Sequence, residues 1–150
     1  MSEFNDNNRL KFYCDDDRCI DCNGCAVACD EAHELPLGIR RRRVITLNEG
    51  VPGKEISTSI ACMHCEDAPC SLVCPVDCFY IRADGVVLHD KDICIGCGYC
   101  IVACPYDVRY IDKVTHSAQS CNFCVDTNLK DEKEPACVEA CRYEAIVFGD

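Results

Sequence analysis

Residues 94–105 read CIGCGYCIVACP, and this stretch decides the fold of the chain. It carries four cysteines at the spacing C-x2-C-x2-C-x3-C, namely Cys94, Cys97, Cys100 and Cys104. Gly96 and Gly98 lie between the first three, where the backbone must turn tightly and direct its N–H groups at sulfur. Pro105 follows the last cysteine. The stretch therefore predicts a loop that presents several thiolates to one bound group.

The same pattern occurs four times along the chain. Group one is Cys19, Cys22, Cys25, Cys29; group two is Cys62, Cys65, Cys70, Cys74; group three is Cys94, Cys97, Cys100, Cys104; group four is Cys121, Cys124, Cys137, Cys141. Every group opens with C-x2-C and closes with C-x3-C, and only the middle gap differs. Cysteines at i and i+4 with small or apolar residues between them suit one short helical turn packed on the bound group.

Short β-prone stretches follow the closing cysteines, at residues 79–81, 108–111 and 145–148. Residues 79–88 predict a hairpin, because Asp84-Gly85 supplies the turn. Residues 1–13 are predicted to be a short tail, and residues 31–60 a connecting arm without cysteine. The expected fold class is α+β, with small helices and short antiparallel hairpins around the bound groups.

Composition and charge exclude several classes of protein. The chain has 18 cysteines in 150 residues, a density typical of a cysteine-built scaffold. The first residues show no signal peptide, so we expect a cytoplasmic protein in which disulfides are rare. The net charge of −11 argues against nucleic acid as a partner, and no apolar run is long enough to predict a membrane span.

Two metal chemistries fit sixteen paired cysteines, zinc and iron–sulfur. Zinc sites usually take two thiolates from each C-x2-C pair, whereas C-x2-C-x2-C places three on one tight loop, a geometry that wraps three corners of a cube. Group three, closed by Pro105, also completes the bacterial ferredoxin run, whose motifs come in pairs. The sequence therefore predicts four 4Fe-4S clusters bound by these sixteen cysteines.

Several residues outside the repeat have more than one interpretation. Cys14 and Cys78 are interpreted as buried packing residues, with a ligand-exchange or redox role as the alternative. His64, beside Cys65, is either a plain loop histidine or a residue that tunes a cluster. Residues 40–43 are four consecutive arginines, which form either a solvated loop or edge strand or a docking patch.

Longer stretches resemble a known family. Residues 61–70 (ACMHCEDAPC) and 92–100 (DICIGCGYC), with the wide gap in group four, are similar to four-cluster iron–sulfur subunits of molybdenum and tungsten oxidoreductases. The formate dehydrogenase beta subunits are most similar, and small subunits of hydrogenase-linked formate complexes and tungsten aldehyde oxidoreductases also resemble this chain.

The resemblance implies two nested bacterial-ferredoxin-like modules. Residues 14–60 and 112–150 would form one with groups one and four, and residues 61–111 the other with groups two and three. The implied ligand sets are Cys19, Cys22, Cys25 with Cys141; Cys121, Cys124, Cys137 with Cys29; Cys62, Cys65, Cys70 with Cys104; and Cys94, Cys97, Cys100 with Cys74.

The resemblance also implies a function. The chain has no flavin or nicotinamide fingerprint and no evident acid–base pair, so we expect no catalytic site of its own. It would relay electrons, in anaerobic metabolism, between a Mo/W-pterin subunit of the formate dehydrogenase or aldehyde oxidoreductase type and a second partner. That partner would be a flavin subunit, a hydrogenase or a ferredoxin. The alternatives are a free soluble polyferredoxin shuttle and a self-associating subunit that polymerises into a cluster wire.

Overall fold

The computed structural model describes residues 9–149, and its regular elements are short. The helices are α1 (Gly24–Ala32), α2 (Pro69–Leu72), α3 (Tyr99–Ala103) and α4 (Ala136–Ala140), with a 3₁₀ turn at Leu129–Asp131. The strands are β1 (Lys11–Cys14), β2 (Arg43–Leu47), β3 (Ile56–Ile60), β4 (Phe79–Ile81), β5 (Val87–His89), β6 (Tyr110–Ile111), β7 (Ala118–Gln119) and β8 (Ile146–Gly149). The coarse prediction of an α+β fold with small helices and short strand pairs is confirmed.

The strands pair two by two. β2 with β3, β4 with β5 and β6 with β7 form antiparallel pairs, and β1 pairs with β8. The hairpin predicted at residues 79–88 is confirmed, with Phe79 opposite His89. Its turn uses Gly85 at φ +84°, whose N–H donates to the Arg82 carbonyl at 2.9 Å.

Two stretches differ from their prediction. Residues 1–8 of the predicted tail lie outside the described residues, while residues 11–13 belong to strand β1. The predicted arm at residues 31–60 contains the β2–β3 hairpin, in which Arg43 pairs with Ile60 and Leu47 with Ile56. Its loop turns through Asn48, Gly50 and Gly53, all at positive φ, which lets the β-branched residues on either side pair.

The chain divides into two compact units. The first, which we call the central unit because it is central in the sequence, consists of Cys62–Asn122 with residues 9–11 and 149. The second, the flanking unit, consists of Phe12–Ala61 and Phe123–Phe148.

The flanking unit is held together by cysteine and phenylalanine side chains. Cys25, Cys137 and Ile146 form its buried core. Phe12, Phe123 and Phe148 pack beside one another, with ring centroids 4.8 Å apart for Phe12 and Phe123 and 5.2 Å apart for Phe123 and Phe148. The three rings form an aromatic cluster within this unit.

The central unit has smaller side chains in its interior. Val86 is fully buried, and Val87 and Val108 are nearly so. Cys78 and Cys100 are buried as well. Within residues 9–149, no helix combines the length and the apolar character needed to cross a bilayer.

Candidate functional site

The helices position the third cysteine of every group. These residues are Cys25 in α1, Cys70 in α2, Cys100 in α3 and Cys137 in α4. Cys104 and Cys141 directly follow α3 and α4, and Cys29 lies within the longer helix α1. The short helical turn predicted between the closing cysteines is therefore confirmed in groups one, three and four, where it places the third and fourth cysteines about one turn apart. In group two, α2 ends at Leu72, before Cys74.

The loops between the first two cysteines of each group share one backbone feature. The residue before the second cysteine has a positive φ in all four groups: 59° at Asp21, 46° at His64, 70° at Gly96 and 57° at Phe123. Such a left-handed residue turns the N–H groups of the loop inward, as in anion-binding nests. In group three the Gly96 N–H lies 3.5 Å from Cys94 Sγ. Sequence reasoning identified only Gly96, because the other three positions carry side chains.

The glycines of the loops have different roles from one another. Gly98 has a φ of +81° and directly precedes α3, as predicted for a tight turn. Gly24, in the group-one loop, does not lie in the left-handed region and is the first residue of α1. Asn23, at φ 61°, makes the turn in its place.

Replacing Gly96 with alanine should impair the group-three loop. A Cβ at this position would lie 2.5 Å from the carbonyl oxygen of His116, and that backbone atom cannot move aside easily. Gly98→Ala is the matched control, because Gly98 shares the positive φ but a Cβ there meets no atom within 4 Å. We expect Gly96→Ala to lose about four iron atoms per molecule and Gly98→Ala to keep them, as measured by iron analysis after anaerobic reconstitution. Equal iron loss in both variants would show that backbone strain alone matters.

In the central unit, two cavities are lined by cysteines. The first, of about 360 Å³ including its open mouth, has Cys62, Cys65, Cys70 and Cys104 in its wall. The second, of about 310 Å³ on the same measure, has Cys74, Cys94, Cys97, Cys100 and also Cys78. Each cavity combines three cysteines of one group with the closing cysteine of the other.

The flanking unit has a third cavity of the same kind. It measures about 340 Å³ including its mouth, and its wall contains Cys19, Cys22, Cys25 and Cys141. Again, three cysteines come from one group and the fourth is the closing cysteine of another. Among residues 9–149, no three His, Cys, Asp or Glu side chains converge on a position for one metal ion. The cysteines of each set instead share the wall of one cavity.

A further set of cysteines lies close together in the flanking unit. Burial raises the pKa of Cys29 to about 12, and the nearness of Cys137 and Cys124 adds to this rise. His33 Nε2 lies 3.3 Å from Cys124 Sγ. Burial, aided by the Arg41 charge, lowers the pKa of His33 to about 4, so the ring is neutral near pH 7. The neutral ring can donate one N–H to the sulfur.

Three residues outside the repeat, Cys78, Cys14 and His64, make defined contacts with the segments around them. Cys78 is 4 % exposed, and its Sγ lies 3.4 Å from Cys74 Sγ. Burial and this contact raise the pKa of Cys78, so its thiol remains protonated. Cys14 Sγ accepts a hydrogen bond from the Ser59 N–H at 3.4 Å. His64 is buried, and its Nδ1 accepts from the Val87 N–H at 2.9 Å, so the imidazole stabilises the group-two loop.

These sites suit an iron–sulfur cluster chemically. The walls of the three cavities are almost entirely apolar apart from their sulfur atoms and a few polar side chains such as Arg109 and Ser59. Buried thiolates that lie this close together repel one another and are costly to desolvate. A positively charged iron–sulfide core among them removes both penalties, because thiolates are the usual ligands of such clusters. The donor set and the cavities together define an iron–sulfur protein.

Comparison with known proteins identifies the family. The protein belongs to the 4Fe-4S dicluster domain family, which matches residues 54–150. It is 52 % identical to the formate dehydrogenase iron-sulfur subunit of Wolinella succinogenes over 95 % of its own length and 82 % of that protein. It is 41 % identical to a polysulfide reductase subunit of the same organism (91 % and 73 % covered) and to the thiosulfate reductase electron transfer subunit PhsB of Salmonella typhi (90 % and 72 % covered). The predicted resemblance to formate dehydrogenase iron–sulfur subunits is confirmed.

Proposed function

We propose that this protein is the electron-transfer subunit of an oxidoreductase complex and conducts electrons through four 4Fe-4S clusters. The observation that carries the proposal is the wall of each cavity, where four or more cysteines from two different groups surround one space. The relatives, whose names describe iron–sulfur and electron-transfer subunits of oxidoreductases, support the same function. When bound, such clusters accept and release electrons one at a time.

The proposed ligand sets cross between groups. They are Cys62, Cys65, Cys70 with Cys104; Cys94, Cys97, Cys100 with Cys74; Cys19, Cys22, Cys25 with Cys141; and Cys121, Cys124, Cys137 with Cys29. The cavity walls support the first three sets, and the crowding of Cys29, Cys124 and Cys137 supports the fourth. Two nested ferredoxin-like modules are part of the proposal, and the discontinuous flanking unit supports them.

The protein's own residues would hold each cluster and adjust its potential. Left-handed residues in the loops direct N–H groups at sulfur, and the apolar side chains of the cavity walls limit contact with water. Hydrogen bonds to sulfur and exclusion of solvent are two of the factors that set the potential of a cluster. Nothing in this role requires the protein to transform a substrate.

The proposed partner is a Mo/W-pterin subunit of the formate dehydrogenase type. The 52 % identity to a formate dehydrogenase iron-sulfur subunit supports this choice over the sulfur-compound reductases, whose subunits are 41 % identical. A flavin subunit, hydrogenase or ferredoxin would be the second partner. A reducing compartment such as the cytoplasm would keep the thiolates available, and that location is part of the proposal.

Exposed apolar side chains favour a subunit over a free shuttle. Leu72 of α2 is 79 % exposed and Val102 of α3 is 87 % exposed, and these two helices pack together. Both helices carry proposed ligands, Cys70 and Cys100. A partner that covers these side chains would bring its own redox centre close to a cluster.

The test is elemental analysis of the tagged protein, captured without oxygen from its native cell. About sixteen iron atoms per molecule, with molybdenum or tungsten in the co-purifying subunit, is the expected result. Iron at this level without either metal would overturn the proposed partner and support a free shuttle. Stoichiometric zinc in place of iron would overturn the proposal entirely.

A further inference from the structure

Two arginines among residues 9–149 are buried without a carboxylate partner, one in each unit. Arg42 is 2 % exposed and Arg109 is 6 % exposed. Among residues 9–149, neither forms an ion pair with an acidic side chain. An unpaired buried charge is strongly unfavourable, so a folded protein that keeps two of them must supply negative charge in another form.

Arg109 is clamped in place in the central unit. Its Nη1 donates to Ser120 Oγ at 3.0 Å, and its guanidinium carbon lies 4.8 Å from the centroid of the Phe79 ring. Its Nε and Nη2 are buried and have no hydrogen-bond partner among residues 9–149. The clamp fixes the guanidinium in one orientation and leaves two nitrogens available.

Arg42 has the same arrangement in the flanking unit. Its Nη1 donates to Ser59 Oγ at 2.9 Å, and its guanidinium carbon lies 4.4 Å from the Phe12 ring centroid. Its Nη2 is buried and without a partner in the described part of the sequence. Arg42 belongs to the run at residues 40–43, and its burial fits neither interpretation of that run, a solvated loop or edge strand or a docking patch. Because the same arginine, serine and phenylalanine contacts occur in both units, we expect the two arginines to have the same role.

Both clamps end at proposed cluster ligands. Arg109 is part of the wall of the cavity that contains Cys62 and Cys70.

The flanking unit repeats this connection. Ser59 Oγ, which accepts from Arg42, lies 3.3 Å from Cys25 Sγ. Because the Ser59 oxygen accepts from the arginine, its own hydrogen is free to point at the sulfur.

We propose that Arg109 and Arg42 are the buried counter-charges of the clusters, and that each raises the reduction potential of the cluster beside it. Ser120 holds Arg109 in place, and Ser59, whose Oγ lies 3.3 Å from Cys25 Sγ, transmits part of the effect of Arg42 to a ligand sulfur. The inference rests on the proposed function. When one electron arrives from the partner subunit, no bond forms or breaks, and one negative charge is added to the thiolate-bound core. A fixed positive charge in a medium of low dielectric constant favours that added charge.

The experiment is a redox titration of the anaerobically loaded protein, followed by electron paramagnetic resonance. In Arg109→Gln we expect one midpoint potential to become more negative while the others stay unchanged. Ser120→Ala should shift the same potential in the same direction by a smaller amount. Arg82→Gln is the matched control in the central unit, because Arg82 is exposed and pairs with Asp84 at 3.0 Å, and it should shift nothing.

A double variant identifies the cluster whose potential Arg109 affects. In a Cys104→Ala background, which removes the proposed cluster beside Arg109, the Arg109→Gln shift should disappear. For the flanking unit, Arg42→Gln should lower a potential that Arg40→Gln leaves unchanged, since Arg40 is exposed and pairs with Asp30 at 3.4 Å.

Unchanged potentials in a fully loaded Arg109→Gln protein, or equal shifts in Arg109→Gln and Arg82→Gln, would overturn the inference. If Arg109→Gln binds less iron, Arg109→Lys distinguishes a role in charge from a role in packing. Lysine keeps the positive charge but lacks the several N–H donors of the planar guanidinium. Restored iron and a near-wild-type potential in Arg109→Lys support a counter-charge, whereas iron loss in both variants indicates packing alone. Absence of cluster signals from the unmodified protein would contradict the proposed function itself.

Discussion

Replacing Cys104 with alanine is expected to remove one whole cluster, about four of roughly sixteen iron atoms per molecule. Cys104 is the closing cysteine of group three, yet it lies in the cavity wall with Cys62, Cys65 and Cys70 of group two. A cluster with three remaining thiolates in an apolar cavity loses an iron corner and is readily lost. Iron and acid-labile sulfide per molecule, measured after anaerobic reconstitution, give the number of clusters directly.

Double variants separate crossed ligand sets from self-contained groups. With crossed sets, Cys104→Ala and Cys62→Ala disable the same cluster, so their combination should lose about four iron atoms, like either alone. Cys104→Ala with Cys94→Ala should lose about eight, because these residues would belong to different clusters. If each group held its own cluster, the two results would be exchanged. Cys14→Ala, which removes a thiol outside every proposed set, should keep all the iron.

Local patterns in the sequence predicted the parts of the fold that depend on neighbouring residues. The hairpin at residues 79–88 was predicted from Asp84-Gly85. Its turn needs a residue at positive φ, which glycine adopts without strain, so the position of Gly85 marks the turn. The short helices around Cys25 and Cys100 followed from the C-x3-C spacing. In both cases the sequence motif and the hairpin or helix that it predicts lie within about ten residues of each other.

The features that sequence missed depend on packing between distant segments. Arg42 stands in a run of four arginines, which in water would be a solvated stretch, and its burial depends on Phe12 and Ser59 far away in the sequence. The left-handed conformations of His64 and Phe123 were not predicted, because side chains rarely adopt them without tertiary support. The β2–β3 hairpin was missed because its strands, RVITL and ISTSI, lack a clear alternation of apolar and polar residues.

Removing the iron is expected to unfold both units. Of the seventeen buried apolar residues within 9–149, seven are cysteines and five are alanines, so few large side chains remain there to form a core. The helices have four to nine residues, which is too short for stability in water without packing. Without iron the buried sulfurs lose the cations that hold them together. The free energy of cluster binding therefore contributes directly to the free energy of folding. We expect far-ultraviolet circular dichroism to fall toward a disordered spectrum when a strong iron chelator is added anaerobically with reductant.

Reconstitution distinguishes loss of the clusters from damage to the polypeptide. The control sample receives the same reductant and incubation without chelator and should keep its spectrum and its iron. Ferrous iron and sulfide added back to the stripped protein should restore both, because the stripped protein differs from the native one only in its clusters. A stripped protein that still unfolded cooperatively on heating would contradict this expectation. Its stability would then come from the phenylalanine cluster of Phe12, Phe123 and Phe148 and the strand pairs rather than from the sulfur ligands.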